Sequence, residues 1–126
     1  MQMSNINFIS LEVSDLASST EFYSDILGFA TDNKIHQPDA VVFQNSNGAG
    51  FAIKKEAKTM RAQQTGEGVA IWFEVDDIEM VKQKVFKKTG QKSKIIPTPF
   101  GDKIEVIDPN GYKLTLYQPN GDIKNG

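Results

Sequence analysis

The sequence predicts a protein of the α+β class that is built from two tandem βαβββ units. The main observation is an internal repeat, in which ISLEVSDL at residues 9–16 returns as IWFEVDDI at residues 71–78, an offset of 62 residues. The same offset joins Gly28 to Gly90. In each copy an alternating apolar stretch is followed by an apolar pattern of helical period, and then by short apolar stretches that turn residues separate. The two copies therefore predict the same order of elements twice.

The first strand of each unit is predicted by the alternation of its side chains. Successive residues of a strand point to opposite faces of a sheet, so one set packs against a helix and the other set faces away from it. The helix-facing sets are Ile9, Leu11 and Val13 in the first copy and Ile71, Phe73 and Val75 in the second, and the opposite sets are Phe8, Ser10, Glu12 and Ala70, Trp72, Glu74.

A helix is predicted after each of these strands. Asp15 in the first copy and either Asp76 or Asp77 in the second are suitable N-caps, because a short carboxylate accepts the free N–H groups of a first helical turn. Gly28 and Gly90 are expected to end the two helices. The apolar residues at helical spacing are Leu16, Phe22, Tyr23, Ile26 and Leu27 in the first helix, and Ile78, Val81, Val85 and Phe86 in the second.

Three short strands are predicted after each helix. They span about 29–35, 40–46 and 50–55 in the first copy and about 92–96, 103–108 and 112–118 in the second. The dipeptide Asn47-Gly48 and the tetrapeptide at 108–111, DPNG, indicate hairpin turns. No Lys-Ser/Thr pair follows the glycine-rich stretch at 45–50, so we interpret it as a turn and not as a phosphate-binding loop.

The predicted organisation is one domain over residues 1–126. It comprises a first module at about 6–55, a polar linker at about 56–67, a second module at about 68–118 and a C-terminal tail at 119–126.

The composition is typical of a globular domain that needs no metal or disulfide for its stability. Residues of the apolar set make up 39 % of the 126 residues, which is enough for a sizeable core. The chain has no cysteine, which excludes disulfides, thiolate metal sites and a cysteine nucleophile. The formal charge of −2 argues against nucleic acid as a partner, and no stretch approaches the ~20 apolar residues of a membrane span. Because the start of the chain also lacks the pattern of a signal peptide, we expect a cytoplasmic protein with neither a nucleic-acid nor a membrane partner.

These features resemble the vicinal oxygen chelate superfamily, which includes glyoxalase I, bleomycin-resistance proteins, fosfomycin-resistance enzymes and extradiol dioxygenases. The resemblance covers residues 6–118 and rests on EVSDL at 12–16, FY at 22–23 and ILGF at 26–29 in the first unit, and on FEVDDI at 73–78 and DPNG at 108–111 in the second. It implies that the strands of each unit curl into half of a cup, so that the two units form a curved mixed sheet around a pocket. It also implies a homodimer.

The resemblance further implies where a metal would be bound. In metal-using members the ligands come from the first and fourth strands of each unit, and the matching positions here are Phe8, Ala52, Ala70 and Thr115. Phenylalanine and alanine carry no donor atom, and a single neutral threonine hydroxyl is a poor ligand for a transition metal. We therefore expect no metal and no cofactor, and no metal-dependent glyoxalase or dioxygenase activity. The chain is closest in character to the bleomycin-resistance-like members, which implies a role in antibiotic resistance.

The candidate ligand site lies on the sheet face opposite the helices. Phe8, Trp72 and Tyr117 are expected to supply an aromatic wall for a planar ligand, and the alternative is that these rings only fill the space themselves. The ligand-binding candidates are Phe8, Ser10, Ala52, Lys54, Ala70, Trp72, Phe100, Lys103, Glu105, Thr115 and Tyr117.

Glu105 is the single candidate for a catalytic residue. A carboxylate at this position would act as an acid or base, or would pair with a cationic group of a ligand. The alternatives are a structural ion pair with Lys103 or Lys54, or simple exposure to solvent. His36 is the only histidine, and one histidine without converging carboxylates does not form a metal site, so we expect it on the surface.

The leading hypothesis is a metal-free protein that binds and sequesters a small organic molecule without covalent chemistry. One alternative is a metal-independent isomerase or lyase that uses Glu105 as its acid or base. Another is an interaction module whose cup is filled by its own side chains or by a partner subunit. Stabilisation by a ligand separates the first two hypotheses from the third, and turnover separates the second from the first.

Overall fold

The chain divides into two compact units, residues 1–61 and residues 62–126. The computed structural model describes residues 8–32, 38–44, 49–56, 66 and 68–120. The turn at Asn47-Gly48, the single histidine His36 and nearly all of the predicted linker lie outside the described residues. The module and linker boundaries therefore stay predictions.

The described part of the first unit forms a mixed sheet of three strands and one helical segment. The elements are β1 (Phe8–Val13), α1 (Leu16–Glu21), a π-helical turn (Phe22–Ile26), β2 (Ala40–Phe43) and β3 (Gly50–Lys55). The strand order is β1-β3-β2, with β1 parallel and β2 antiparallel to β3. Of the strand predicted at 29–35, the described residues show only a bridge from Thr31 to Phe43, and residues 33–35 lie outside them.

The helical segment of the first unit begins at the predicted cap. The Asp15 carboxylate accepts a hydrogen bond from the Ala17 N–H at 3.2 Å. The sequence predicts one continuous α-helix here, but the structure contains a π-helical turn. In this turn the Leu27 N–H donates to the Phe22 carbonyl, five residues back, and not to a carbonyl four residues back. The first two residues of this wider turn, Phe22 and Tyr23, are both buried in the core.

Aromatic rings form the centre of this core. The Tyr23 ring lies 5.3 Å from that of Phe51 and 6.0 Å from that of Phe43, measured between centroids. The rings of Phe43 and Phe51 are stacked at 5.4 Å. The core therefore lies between the helical segment and one face of the sheet, and the other face carries Phe8, Ser10 and Glu12, as the alternation predicts.

The described part of the second unit forms a mixed sheet of four strands and one helix. The elements are β4 (Ile71–Glu74), α2 (Ile78–Thr89), β5 (Ile96–Thr98), β6 (Gly101–Ile107) and β7 (Lys113–Pro119). The strand order is β4-β7-β6-β5, with only the β4–β7 pair parallel. The predicted α+β class is confirmed, with one mixed sheet in each unit, and neither sheet closes on itself within the described residues.

Helix α2 begins and ends at predicted residues. Of the two candidate caps, the structure uses Asp77, whose carboxylate accepts from the Met80 N–H at 3.1 Å. The helix ends at Gly90, which has a φ of 79°, a conformation that glycine adopts without a steric penalty. Phe86 was assigned to the apolar face, but it is 49 % exposed because it lies about 100° around the helix from the buried Val85.

The strand predicted at 92–96 forms only at its last residue, because side chains hold the preceding segment against β6. The amide of Gln91 donates to the Ile107 carbonyl at 2.6 Å and accepts from the Ile107 N–H at 2.9 Å. The Ser93 hydroxyl donates to the Glu105 carbonyl at 3.3 Å. These contacts occupy the edge of β6 that a backbone ladder would need, so β5 starts at Ile96.

Neither described helix has the length and apolar character that a membrane-spanning helix requires.

Candidate functional site

The predicted ligand-binding residues of the second unit lie together on one face of its sheet. Residues that are directly opposite in neighbouring strands share a face. One such row runs Trp72, Thr115, Glu105 across β4, β7 and β6, and the next runs Glu74, Tyr117, Lys103, Ile96 and reaches β5. The opposite face carries the row Phe73, Leu116, Ile104, of which Leu116 and Ile104 are buried. The predicted assignment of side chains to the two faces of β4 is therefore confirmed, with Trp72 on the face away from the buried core.

Two aromatic rings form a corner on this face. Trp72 is 44 % exposed, and its ring meets that of Tyr117 edge to face, with centroids 5.5 Å apart and an angle of 67° between the planes. The indole therefore keeps a solvent-accessible surface beside the Tyr117 ring. We call Trp72, Lys103, Glu105, Thr115 and Tyr117 the tryptophan cluster.

The charged members of the cluster interact with each other and with the indole. The Lys103 Nζ lies 5.5 Å from the centroid of the Trp72 ring and 3.9 Å from the Glu105 Oε2. The Lys103 side chain is 22 % exposed and that of Glu105 is 59 % exposed. The predicted alternative of an ion pair between Glu105 and Lys103 is thus observed, and a solvent-exposed pair at this distance stabilises the fold by at most about 1 kcal/mol.

Thr115 is the buried member of the cluster, between Trp72 and Glu105 in its row. It occupies one of the four positions that would hold a metal in metal-using relatives, and the other three, Phe8, Ala52 and Ala70, offer no donor atom. Within the described residues no three His, Cys, Asp or Glu side chains are grouped so as to hold an ion. The residues at these positions therefore do not fit a metal centre.

The candidates of the first unit share a face of their own sheet. Ser10 lies opposite Ala52, and Glu12 lies opposite Lys54, in the parallel pair of β1 and β3. Phe8 and Lys54 are exposed, while Ala52 is buried and presents little surface. The pairs Ser10–Ala52 and Trp72–Thr115 are equivalent in the repeat, so the two sheets have the same register.

Two further candidates lie away from the paired strands. Ala70 is exposed and precedes β4. Phe100 is 65 % exposed in the turn between β5 and β6, where its N–H donates to the Thr98 Oγ1 at 3.1 Å and its carbonyl accepts from the Asn120 N–H. The structure thus places five candidates in the tryptophan cluster, and ligand binding by any of them stays a prediction.

Ile96 belongs on this face and is absent from the predicted set. It lies opposite Lys103 and is 39 % exposed, so it extends the apolar surface beside the cluster. The turn at 98–101 is the sequence signal that could have identified Ile96. Because this turn pairs Thr98 with Gly101, it sets Ile96 opposite Lys103.

Solved structures of similar fold include small-molecule-binding proteins. TnmS3, an antibiotic binding protein from Streptomyces sp. CB03234, is 18 % identical with a TM-score of 0.69, over 95 % of this chain and 99 % of that chain. The bleomycin-binding protein from Streptomyces verticillus, solved with copper(II)-bleomycin, is 17 % identical with a TM-score of 0.64, over 95 % and 100 % of the two chains. A glyoxalase/dioxygenase from Nostoc punctiforme is 18 % identical with a TM-score of 0.74, over 92 % and 91 %. At these identities the likeness shows the fold alone.

Sequence comparison leads to the same group of proteins. No match was found among curated protein sequences. The family model of the Glyoxalase/Bleomycin resistance protein/Dioxygenase superfamily, however, matches residues 5–116, which is nearly the whole chain. With its two mixed sheets and its repeated register, the chain belongs to this superfamily.

Proposed function

We propose that the protein binds a small planar organic molecule at the tryptophan cluster and does so without a metal ion or covalent chemistry. The observation that carries the proposal is the exposed corner of Trp72 and Tyr117 with Lys103 and Glu105 beside it. Aromatic walls with a few polar groups are typical of sites for small organic ligands.

The exposure of Trp72 supports a binding role. A single exposed apolar residue is ordinary on a protein surface, but an apolar surface with a charged rim is typical of binding sites. Here the exposed indole adjoins the ring of Tyr117, and Lys103 lies beside the indole and pairs with Glu105. Ile96 lies opposite Lys103 on β5 and adds apolar surface at the far side of the lysine.

The residues at the four family metal positions support binding without a metal. One buried threonine hydroxyl is the only side-chain donor among them, and metal sites are built from several carboxylate, imidazole or thiolate ligands. TnmS3 is an antibiotic binding protein and the similar protein of Streptomyces verticillus is a bleomycin-binding protein, which makes such compounds the first to be tried.

The state of Glu105 favours binding over acid–base catalysis. Its carboxylate is largely exposed to water and its charge is paired with that of Lys103, whereas a general acid or base is usually a carboxyl group that burial has prepared for proton transfer. An isomerase or lyase reaction is tested by incubating any bound compound with the protein and with Glu105→Gln. Suppose that a product forms with the parent protein but not with the variant, while the variant still binds the compound. The protein would then be an isomerase or lyase that uses Glu105, and the proposal of binding without chemistry would be wrong.

The binding site is tested by comparing Trp72→Leu with Phe86→Leu. Both aromatic side chains are exposed to a similar extent, but Phe86 lies on α2 and outside the cluster. A thermal-shift screen of planar heteroaromatic compounds selects a binder, and calorimetry measures its affinity for each variant. We expect Trp72→Leu to weaken binding tenfold or more and Phe86→Leu to leave it unchanged. Equal affinities for the two variants would contradict the assigned site.

The screen also tests the interaction-module alternative. If no compound stabilises the protein while sedimentation shows a tight homodimer, the face is occupied by a second subunit and not by a small ligand. We propose the homodimer itself by analogy with the family, and expect sedimentation to show it together with ligand binding.

A further inference from the structure

Lys103 occupies a position where a ligand's positive charge would be well placed. Its ammonium group lies 5.5 Å from the centroid of the Trp72 ring and 3.9 Å from the Glu105 carboxylate. A cation within about 6 Å of an indole is attracted by the ring electrons, and a carboxylate adds charge pairing. The aromatic ring and the carboxylate thus form a cation site whose present occupant is a side chain of the same sheet.

The charge of the occupant is paired weakly. The N···O distance is near the outer limit of an ion pair, and the carboxylate partner remains mostly in water. The Lys103 side chain is 22 % exposed, so much of its stem is covered, but its four methylene groups allow the ammonium group to turn towards solvent. The glutamate stem is two methylene groups shorter, which keeps its carboxylate closer to the sheet.

We infer that Lys103 is a built-in competitor that a ligand must displace, and that the ligand class is therefore a planar aromatic cation. This inference rests on the proposed function. The ligand's ring packs on Trp72, its positive charge approaches Glu105, and the lysine stem swings towards solvent. A planar anion is disfavoured, because any group that reaches Lys103 also approaches the carboxylate of Glu105.

The inference predicts that removing Lys103 increases the affinity for the ligand. Removing a residue that touches the ligand normally weakens binding, whereas removing a competitor strengthens it. Lys103→Met keeps the length of the side chain and deletes its charge, so Glu105 is left without its cation. The gain in affinity should depend on Glu105 and vanish in the double variant Lys103→Met, Glu105→Gln.

The test uses two planar probes, proflavine as the cation and 2-naphthoate as the anion. Calorimetric titrations are run on the parent protein, Lys103→Met, Lys103→Arg and the double variant. We expect proflavine to bind Lys103→Met about tenfold more tightly than the parent, Lys103→Arg, which keeps the competing charge, to show no gain, and the double variant to lose the gain of Lys103→Met. We expect 2-naphthoate to show no gain with Lys103→Met.

A readout without ligand checks the contact itself. Trp72 is the only tryptophan of the chain, so its emission reports directly on the cation beside its ring. Lys103→Met should change this emission, and Lys103→Arg should change it less. If the Met variant fails to fold, as judged by thermal melting, Lys103→Gln takes its place in every comparison.

The outcomes separate this inference from the proposed function. If proflavine or 2-naphthoate binds and Lys103→Met leaves proflavine affinity unchanged or lowers it, the competitor role is wrong and the binding site stands. If neither probe binds the parent protein or the folded variant, the competitor role and the proposed site both fail.

Discussion

Gly101→Ala should destabilise the second unit strongly, because the backbone at this position leaves no room for a side chain. Gly101 pairs with Thr98 of β5 on one side and with Pro119 of β7 on the other. Its φ is 145°, and a Cβ built there would overlap the Gln118 carbonyl oxygen and lie 2.9 Å from the Pro119 Cα. These are backbone atoms of the adjoining strand, so a side-chain rotation does not relieve the overlap.

Two contributions set the size of the loss. A non-glycine residue in such a sparsely populated conformation lowers the stability of the fold by about 1–3 kcal/mol. Forcing two packed strands apart lowers it by about 1–3 kcal/mol more. We expect a loss of about 3 kcal/mol or more in the free energy of unfolding, which for a domain of this size lowers the melting temperature by about 10 °C or more.

Gly90→Ala is the matched control for this prediction. Gly90 also has a positive φ, but a Cβ there meets nothing within 4 Å. Gly90→Ala should lower the free energy of unfolding only by the conformational contribution, about 1–2 kcal/mol. Urea unfolding followed by circular dichroism measures both variants. If Gly101→Ala loses no more stability than Gly90→Ala, the steric reasoning is wrong.

Three other predictions concern the caps, the turn and metal binding. Asp77→Ala should lower the free energy of unfolding by about 1 kcal/mol through loss of the helix cap, and Asp77→Ser should restore most of it, as thermal melting will show. Asp108→Ala should lose about 2–3 kcal/mol in urea unfolding, because the buried Asp108 carboxylate accepts from the backbone N–H groups of Asn110 and Tyr112, and Asp108→Asn should lose less. Zinc, nickel, manganese or iron(II) should leave the melting temperature unchanged, and elemental analysis that finds about one metal per chain would contradict the proposal of metal-independent binding.

The face of the cluster was predictable because sheet alternation is a local property. Placing Trp72 opposite the core requires only that Ile71 and Phe73 be less exposed than Trp72 and Glu74, and β4 has this pattern. The pairing of Trp72 with Thr115 and of Tyr117 with Lys103 depends in addition on the register between strands, which alternation within one strand does not give.

Other features depend on information that residue spacing does not contain. The segment before β5 is held by the side chains of Gln91 and Ser93, and a polar side chain that replaces a backbone ladder leaves no periodic signal. The position of Lys103 over Trp72 depends on the rotamers of both side chains, so the sequence predicted the ion pair with Glu105 only as one alternative and did not predict the contact with the ring.

The two helical segments have the same length from cap to glycine and are wound differently. Asp15 to Gly28 and Asp77 to Gly90 are equal spans, but the first contains the π-helical turn and the second is α-helical throughout. A π turn holds one residue more than an α turn needs, so deleting Ser24 can restore α winding without rotating the rest of the segment. A deletion inside α2 would instead turn every later side chain by about 100° and expose Val85 or its replacement. The helical segments of the two units therefore differ in their tolerance of a deletion. Natural variants that are shorter by one residue should have the deletion in the helical segment of the first unit.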